Sequence, residues 1–160
     1  MQIQIIPAYS CPEEVRQLFT EYTDHLIAGD PEFRTYLQIQ NYAGEIACLE
    51  EKYGPPHGRL YLALADGKTT GCIALRRLDE HRCEIKRLYV RDEFRNLGIG
   101  RKLVEQLLTD ARKIGYREIL LDTLPFLTDA IRLYRCLGFR EIPRYNNSPM
   151  DATLYFALEL

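Results

Sequence analysis

The chain has 160 residues, 46% of them hydrophobic, which suits a single domain (1–160) with its own core. A net charge of −2 argues against a general nucleic-acid binder, and no apolar run approaches the roughly 20 residues that a membrane span needs. The five cysteines form no Cys-x-x-Cys pair, which argues against a zinc site or a disulfide scaffold and for the reduced thiols of a cytoplasmic protein.

The N-terminus carries no signal-peptide pattern, and residues 2–6 alternate Gln and Ile as a strand does. Ser10-Cys11-Pro12-Glu13 reads as a capping box opening a helix with Val15, Leu18, Phe19, Tyr22 and Leu26 on its apolar face. A second helical pattern runs through Ile39, Tyr42, Ala43, Ile46, Leu49 and Tyr53 to Gly54-Pro55-Pro56. Arg59–Ala65 and Thr70–Leu78 are strands joined by the Asp66-Gly67 turn, and Cys83–Val90 is a third. Leu103, Val104, Leu107, Leu108, Ala111 and Ile114 stripe a helix that stops at Gly115. Arg117–Asp122 is a short strand, Pro125 opens a helix that ends at Gly138, and Phe139–Ile142 and Ala152–Leu160 are final strands around a Pro/Asn loop. The order β-α-α-β-β-β-α-β-α-β-β is α/β (α+β) in class. It predicts a mixed, mostly antiparallel sheet of about seven strands flanked by about four helices.

Between the strand Cys83–Val90 and the long helix lies Arg95-Asn96-Leu97-Gly98-Ile99-Gly100, followed by Arg101 and Lys102. Two glycines one residue apart let the backbone approach a ligand, and the free N–H groups of the next helical turn favour an anion. This describes a phosphate cradle. A P-loop is excluded, because no Gly-x-x-x-x-Gly-Lys-Ser/Thr run exists. A dinucleotide fingerprint would need glycine at Leu103, with Asp122 as its acidic partner. The remaining pattern, Arg/Gln-x-x-Gly-x-Gly/Ala, fits at every fixed position.

That loop resembles the acetyl-CoA loop of the GNAT acetyltransferase superfamily. A second motif strengthens the resemblance: Ala130-Ile131-Arg132-Leu133-Tyr134-Arg135-Cys136-Leu137-Gly138-Phe139 is similar to the family's Ala-x-x-Leu-Tyr-x-x-x-Gly-Phe. The segments Cys83–Val90, Leu121–Pro125 and Tyr145-Asn146-Asn147 resemble a bacterial GNAT subgroup whose substrates are mostly unassigned. The resemblance implies the GNAT fold, in which two central parallel strands splay apart to admit the pantetheine arm, here Cys83–Val90 and Arg117–Asp122. It implies acetyl-CoA as co-substrate, with Leu88, Tyr89 and Val90 beside the pantetheine and Arg95, Asn96, Leu97, Gly98, Ile99, Gly100, Arg101 and Lys102 around the pyrophosphate. Leu127 stands where many relatives carry a pantetheine-contacting Asn.

Resemblance also makes Glu84, eleven residues before Arg95, the candidate base and Tyr134 the candidate acid beside the thioester sulfur. On a regular strand Glu84, Lys86, Leu88 and Val90 share one face. A free Glu, with a pKa of ~4.3, needs burial or a water chain to accept an ammonium proton. Glu84 could instead pair with Lys86, Arg76 or Arg82, and Tyr134 could be a core aromatic. Candidates for the acceptor rim are Tyr36, Gln40, Arg76, Arg87, Tyr145 and Asn146, with Arg76 and Arg87 suited to a substrate carboxylate. His25, His57 and His81 show no spacing for a metal or a triad, and no metal is expected. The leading expectation is N-acetylation of a small polar amine by a monomer or homodimer. A protein acceptor and a non-catalytic acyl-CoA-binding module are the alternatives.

Overall fold

The computed structural model describes residues 1–160. Its strands are β1 (Ile3–Pro7), β2 (Arg59–Ala65), β3 (Lys68–Arg77), β4 (Arg82–Val90), β5 (Glu118–Thr123), β6 (Arg140–Ile142) and β7 (Leu154–Glu159). They form one seven-stranded sheet in the order β1-β2-β3-β4-β5-β7-β6, and only β4 and β5 pair in parallel. The helices are α1 (Pro12–Gly29), α2 (Phe33–Ile39), α3 (Tyr42–Ala47), α4 (Leu49–Tyr53), α5 (Ile99–Ile114) and α6 (Thr128–Cys136).

Each amphipathic element buries its stripe on one side of the sheet. Leu103, Val104 and Leu107 of α5 and Tyr134 of α6 pack with Ile73, Leu75, Ile85, Ile119 and Phe156 on one face. Val15, Leu18 and Phe19 of α1 and Tyr53 of α4 pack with Leu60, Leu62, Cys72 and Ala74 on the other. A third cluster joins Leu26 and α2 (Phe33, Tyr36, Leu37) to Leu124 and Met150, closing the end of the sheet near the last loop.

Three expectations are corrected. The cap of α1 is Cys11, not Ser10, and no side chain caps the helix; Pro12 takes the first helical position, where its missing N–H costs nothing. The second helical pattern is three short helices, because Asn41 adopts φ 55° and Cys48 leaves the helical conformation at φ −144°; Ile39 is therefore 55% exposed and the acidic Glu45 buried. Helix α6 begins at Thr128, three residues after Pro125, because Leu124–Leu127 closes a turn first.

Strands β4 and β5 pair only from Arg82↔Glu118 to Glu84↔Leu120 and then part, as the splay requires. Beyond that seam β4 also bulges. Tyr89 pairs with Cys72 and Lys86 with Ala74, so Arg87, at φ 61°, and Leu88 face the single residue Ile73. The extra residue reverses the alternation. Leu88 and Val90 join Cys83 and Ile85 on the α5 face, while Glu84 and Lys86 stay on the α1–α4 face. The expectation that Glu84, Lys86, Leu88 and Val90 share a face fails at this bulge.

Candidate active site

Where β4 and β5 part, a cavity of about 480 Å³ opens through the sheet, a size usual for small-molecule sites. Leu88, Tyr89 and Val90 form one lip; Asp122, Thr123 and the start of α6 form the other; Tyr22 and His25 of α1 close one side. The edges of β4 and β5 that face the gap beyond Glu84 and Leu120 have no strand partner, so main-chain amides line it.

One end of the cavity is the turn into α5. Gly98 caps the helix at φ 78°, a conformation that glycine adopts without strain. A Cβ at Gly100 would sit at ordinary contact from Leu133 (3.5 Å) and Val90 (3.9 Å). Both glycines, with Arg95, Asn96, Ile99 and Arg101, lie on the cavity wall, whereas Leu97 and Lys102 do not. The arginines are engaged: Arg95 donates to the Val90 carbonyl at 3.1 Å and pairs with Asp92 at 3.0 Å, and Arg101 pairs with Glu105 at 2.9 Å. The charge aimed into the cradle is therefore the helix dipole and the first-turn N–H groups, which fit a pyrophosphate.

Tyr134 reaches the cavity from α6. Its ring packs against Phe139 and Phe156 with centroids 5.6 and 6.4 Å away, and its hydroxyl makes no hydrogen bond within the protein. Burial raises its pKa well above that of a free phenol, so it stays a proton donor.

On the far side lies Asp122. Its Oδ2 accepts a hydrogen bond from the Tyr36 hydroxyl and another from Asn146 Nδ2 at 2.6 Å; the Asn146 Oδ1 accepts from Tyr155 at 2.9 Å. Helix α2 and the last loop thus meet on β5. Asp122 also lines a smaller chamber of about 30 Å³, which shares Tyr22, Arg87, Asp122, Thr123 and Leu127 with the main cavity and adds Tyr36, Gln40 and Lys86.

The other expected residues sit differently. Glu84 lines neither chamber: Arg76 donates to its Oε1 at 2.8 Å, Lys86 stands 3.9 Å away, and Tyr145 donates to Oε2. Arg76 is spent on that pair. Arg87 was expected to grip a substrate carboxylate, but its guanidinium is closed on Glu45 at 2.9 and 3.0 Å and on Gln40 at 2.8 Å. Burial alone would raise the Glu45 pKa, but Arg87 and then Lys52 outweigh it and hold the carboxyl at about 2.

Sequence reasoning missed Asp122 and His25 as wall residues. Asp122 had a signal, a carboxylate at the mouth of the predicted splay. His25 follows Tyr22 by one helical turn and stacks edge-on against Phe126 at 6.0 Å.

The Acetyltransferase (GNAT) family model matches residues 13–139. An uncharacterized N-acetyltransferase of Schizosaccharomyces pombe is 40% identical over 131 residues, covering 81% of this chain and 80% of the relative. A GNAT-family acetyltransferase of Staphylococcus aureus superposes with a TM-score of 0.76 at 25% identity over 99% of both chains. One from Elizabethkingia anophelis, solved with acetyl-CoA bound, gives 0.66 at 25% identity over 99% of this chain and 98% of that one. This chain thus belongs to the GNAT acetyltransferase family, as an acyl-CoA-dependent N-acetyltransferase.

Proposed function

We propose that the enzyme transfers the acetyl group directly to the primary amine of a small polar metabolite. One observation carries this reading: a single cavity is lined by the α5 cradle, Tyr134 and Asp122. Acetyl-CoA supplies an activated thioester carbonyl. The turn at Gly98–Gly100 receives its pyrophosphate, and the free edge of β4 at Leu88–Val90 bonds its amides.

Asp122 pairs with the ammonium of the acceptor and passes its proton to solvent through water, so that the neutral amine can form the C–N bond as the C–S bond breaks. Tyr134 gives its proton to the departing sulfur, and the proton that the new amide nitrogen sheds returns through water to restore the phenol. A thiol of pKa ~8.5 leaves readily, so the help required is modest. Glu84 acts behind this site: it fixes Tyr145, Arg76 and Lys86 rather than meeting the amine. Closure of the far end by the Tyr36–Asp122–Asn146 bonds supports a compact acceptor over an extended peptide.

Thiol release from acetyl-CoA, followed across a panel of small primary amines and a panel of peptides, tests the reading. Turnover of small amines is expected. Turnover of peptides with none of the small amines overturns it.

A further inference from the structure

Lys86 is a buried cation without a close partner. Its side chain is 6% exposed, and its nearest carboxylate oxygen, Glu84 Oε1 at 3.9 Å, already accepts from Arg76 at 2.8 Å. The Tyr36 ring lies 5.7 Å from Nζ, which favours a cation but takes no ordinary hydrogen bond. Gln40 stands on the same small chamber. Its Oε1 accepts from Arg87, which fixes the orientation of the amide, and its Nε2 is buried with no partner. Proteins leave few buried donors unpaired, and Gln40 Nε2 is one; Lys86, held only by the long 3.9 Å pair to Glu84, lines the same chamber.

Charge agrees with this count. Glu84 is divided between Arg76 and Lys86, and Glu45 between Arg87 and Lys52. Asp122 has only the neutral donors Tyr36 and Asn146. The acceptor side therefore has spare positive charge at Lys86 and an uncompensated carboxylate at Asp122. The chamber, about 30 Å³, admits a group of two or three heavy atoms.

The geometry points to a carboxylate subsite: Lys86 Nζ and Gln40 Nε2 hold the carboxylate of an acceptor whose amine meets Asp122. The substrate class is then a compact amino acid or other amino-carboxylate. A carboxylate offers two acceptor oxygens to two donors, whereas a phosphoryl group brings more oxygens than the chamber has partners. The inference rests on the acceptor reading above.

The test uses the full chain, with free amino acids, their primary amides and a simple alkylamine as probes. Thiol release gives KM and kcat, and melting temperature in the presence of coenzyme A reports binding without chemistry. At least one amino acid is expected to raise the melting temperature and to show a KM about tenfold or more below that of its amide, the size of one charged hydrogen bond. In Lys86→Met that preference collapses through KM rather than kcat, and Lys86→Arg restores part of it. Equal KM for acids and amides, or protection that persists in Lys86→Met, overturns the subsite while leaving the acetyl-transfer reading intact. Lys86-dependent protection with no thiol release from any amine does the reverse. If no amino acid protects or reacts, the subsite is wrong.

Discussion

The Tyr134 hydroxyl borders the main cavity and bonds to nothing in the protein, so removing it tests catalysis with little disturbance to packing. Tyr134→Phe is expected to lower kcat roughly 10²-fold, the loss usual for one placed proton donor, and to leave the melting temperature nearly unchanged. Steady-state rates beside a thermal melt decide it: an unchanged kcat would reduce Tyr134 to a core aromatic. The place of Tyr134 on the cavity wall was legible in the sequence because it sits inside a ten-residue motif. Glu84 was legible as a charge on β4 but not in its partners, because Arg76 and Tyr145 arrive from distant segments. Arg87 misled for the same reason, since its partner Glu45 lies on a helix that the periodicity drew as one longer element.

Among the elements, the turn into α5 was readable almost residue by residue, because consecutive residues build it and glycine spacing controls it. A Cβ at Gly100 meets Leu133 and Val90 only at ordinary contact distance. Gly100→Val is therefore expected to change the stability of the free enzyme by less than about 1 kcal/mol, within the ordinary cost of a helix substitution. It is also expected to abolish the rise in melting temperature that acetyl-CoA gives the wild type, about 2.7 kcal/mol of stabilisation at a hundredfold excess over Kd. A full ligand-induced shift in the variant would move the cradle elsewhere. The β4 bulge escaped the sequence reading, because no glycine marks it: Arg87 is held at φ 61° by tertiary contacts, with Cys72 donating to its carbonyl at 3.3 Å. Helices α2–α4 were misread where Asn41 and Cys48 interrupt a regular apolar spacing.

At the scale of the molecule, the mixed sheet followed from the alternation of elements and its split from the resemblance to the family, whereas the cover formed by α2–α4 followed from neither. That cover is tied to the sheet by Glu45, which joins α3 to Arg87 on β4 and to Lys52 on α4. Glu45 is held at about 2 against an ordinary 4.5. A depressed carboxyl contributes stability above its unfolded pKa and loses it as the pH falls through the folded value. The contribution, about 3 kcal/mol, is thus present at neutral pH and lost between about pH 5 and 2. Glu45→Gln should be less stable than wild type at pH 7, and the gap should narrow steadily through that window, as chemical denaturation at a series of pH values would record. A gap of constant size would mean that the pair is not linked to protonation.

The short seam between β4 and β5 has a consequence for how this enzyme tolerates change. The groups that face the gap are main-chain amides and carbonyls, which are the same whatever residue carries them. Substitutions along Leu88–Val90 or Leu121–Thr123 can therefore alter the fit of a ligand but cannot delete the edge it pairs with. In the proposed acceptor site, recognition rests instead on single side chains, Lys86, Gln40 and Asp122, each of which one mutation removes. The acyl donor is fixed by architecture and the acceptor by a few replaceable groups, so this scaffold can exchange one amine for another while its hold on the thioester stays constant.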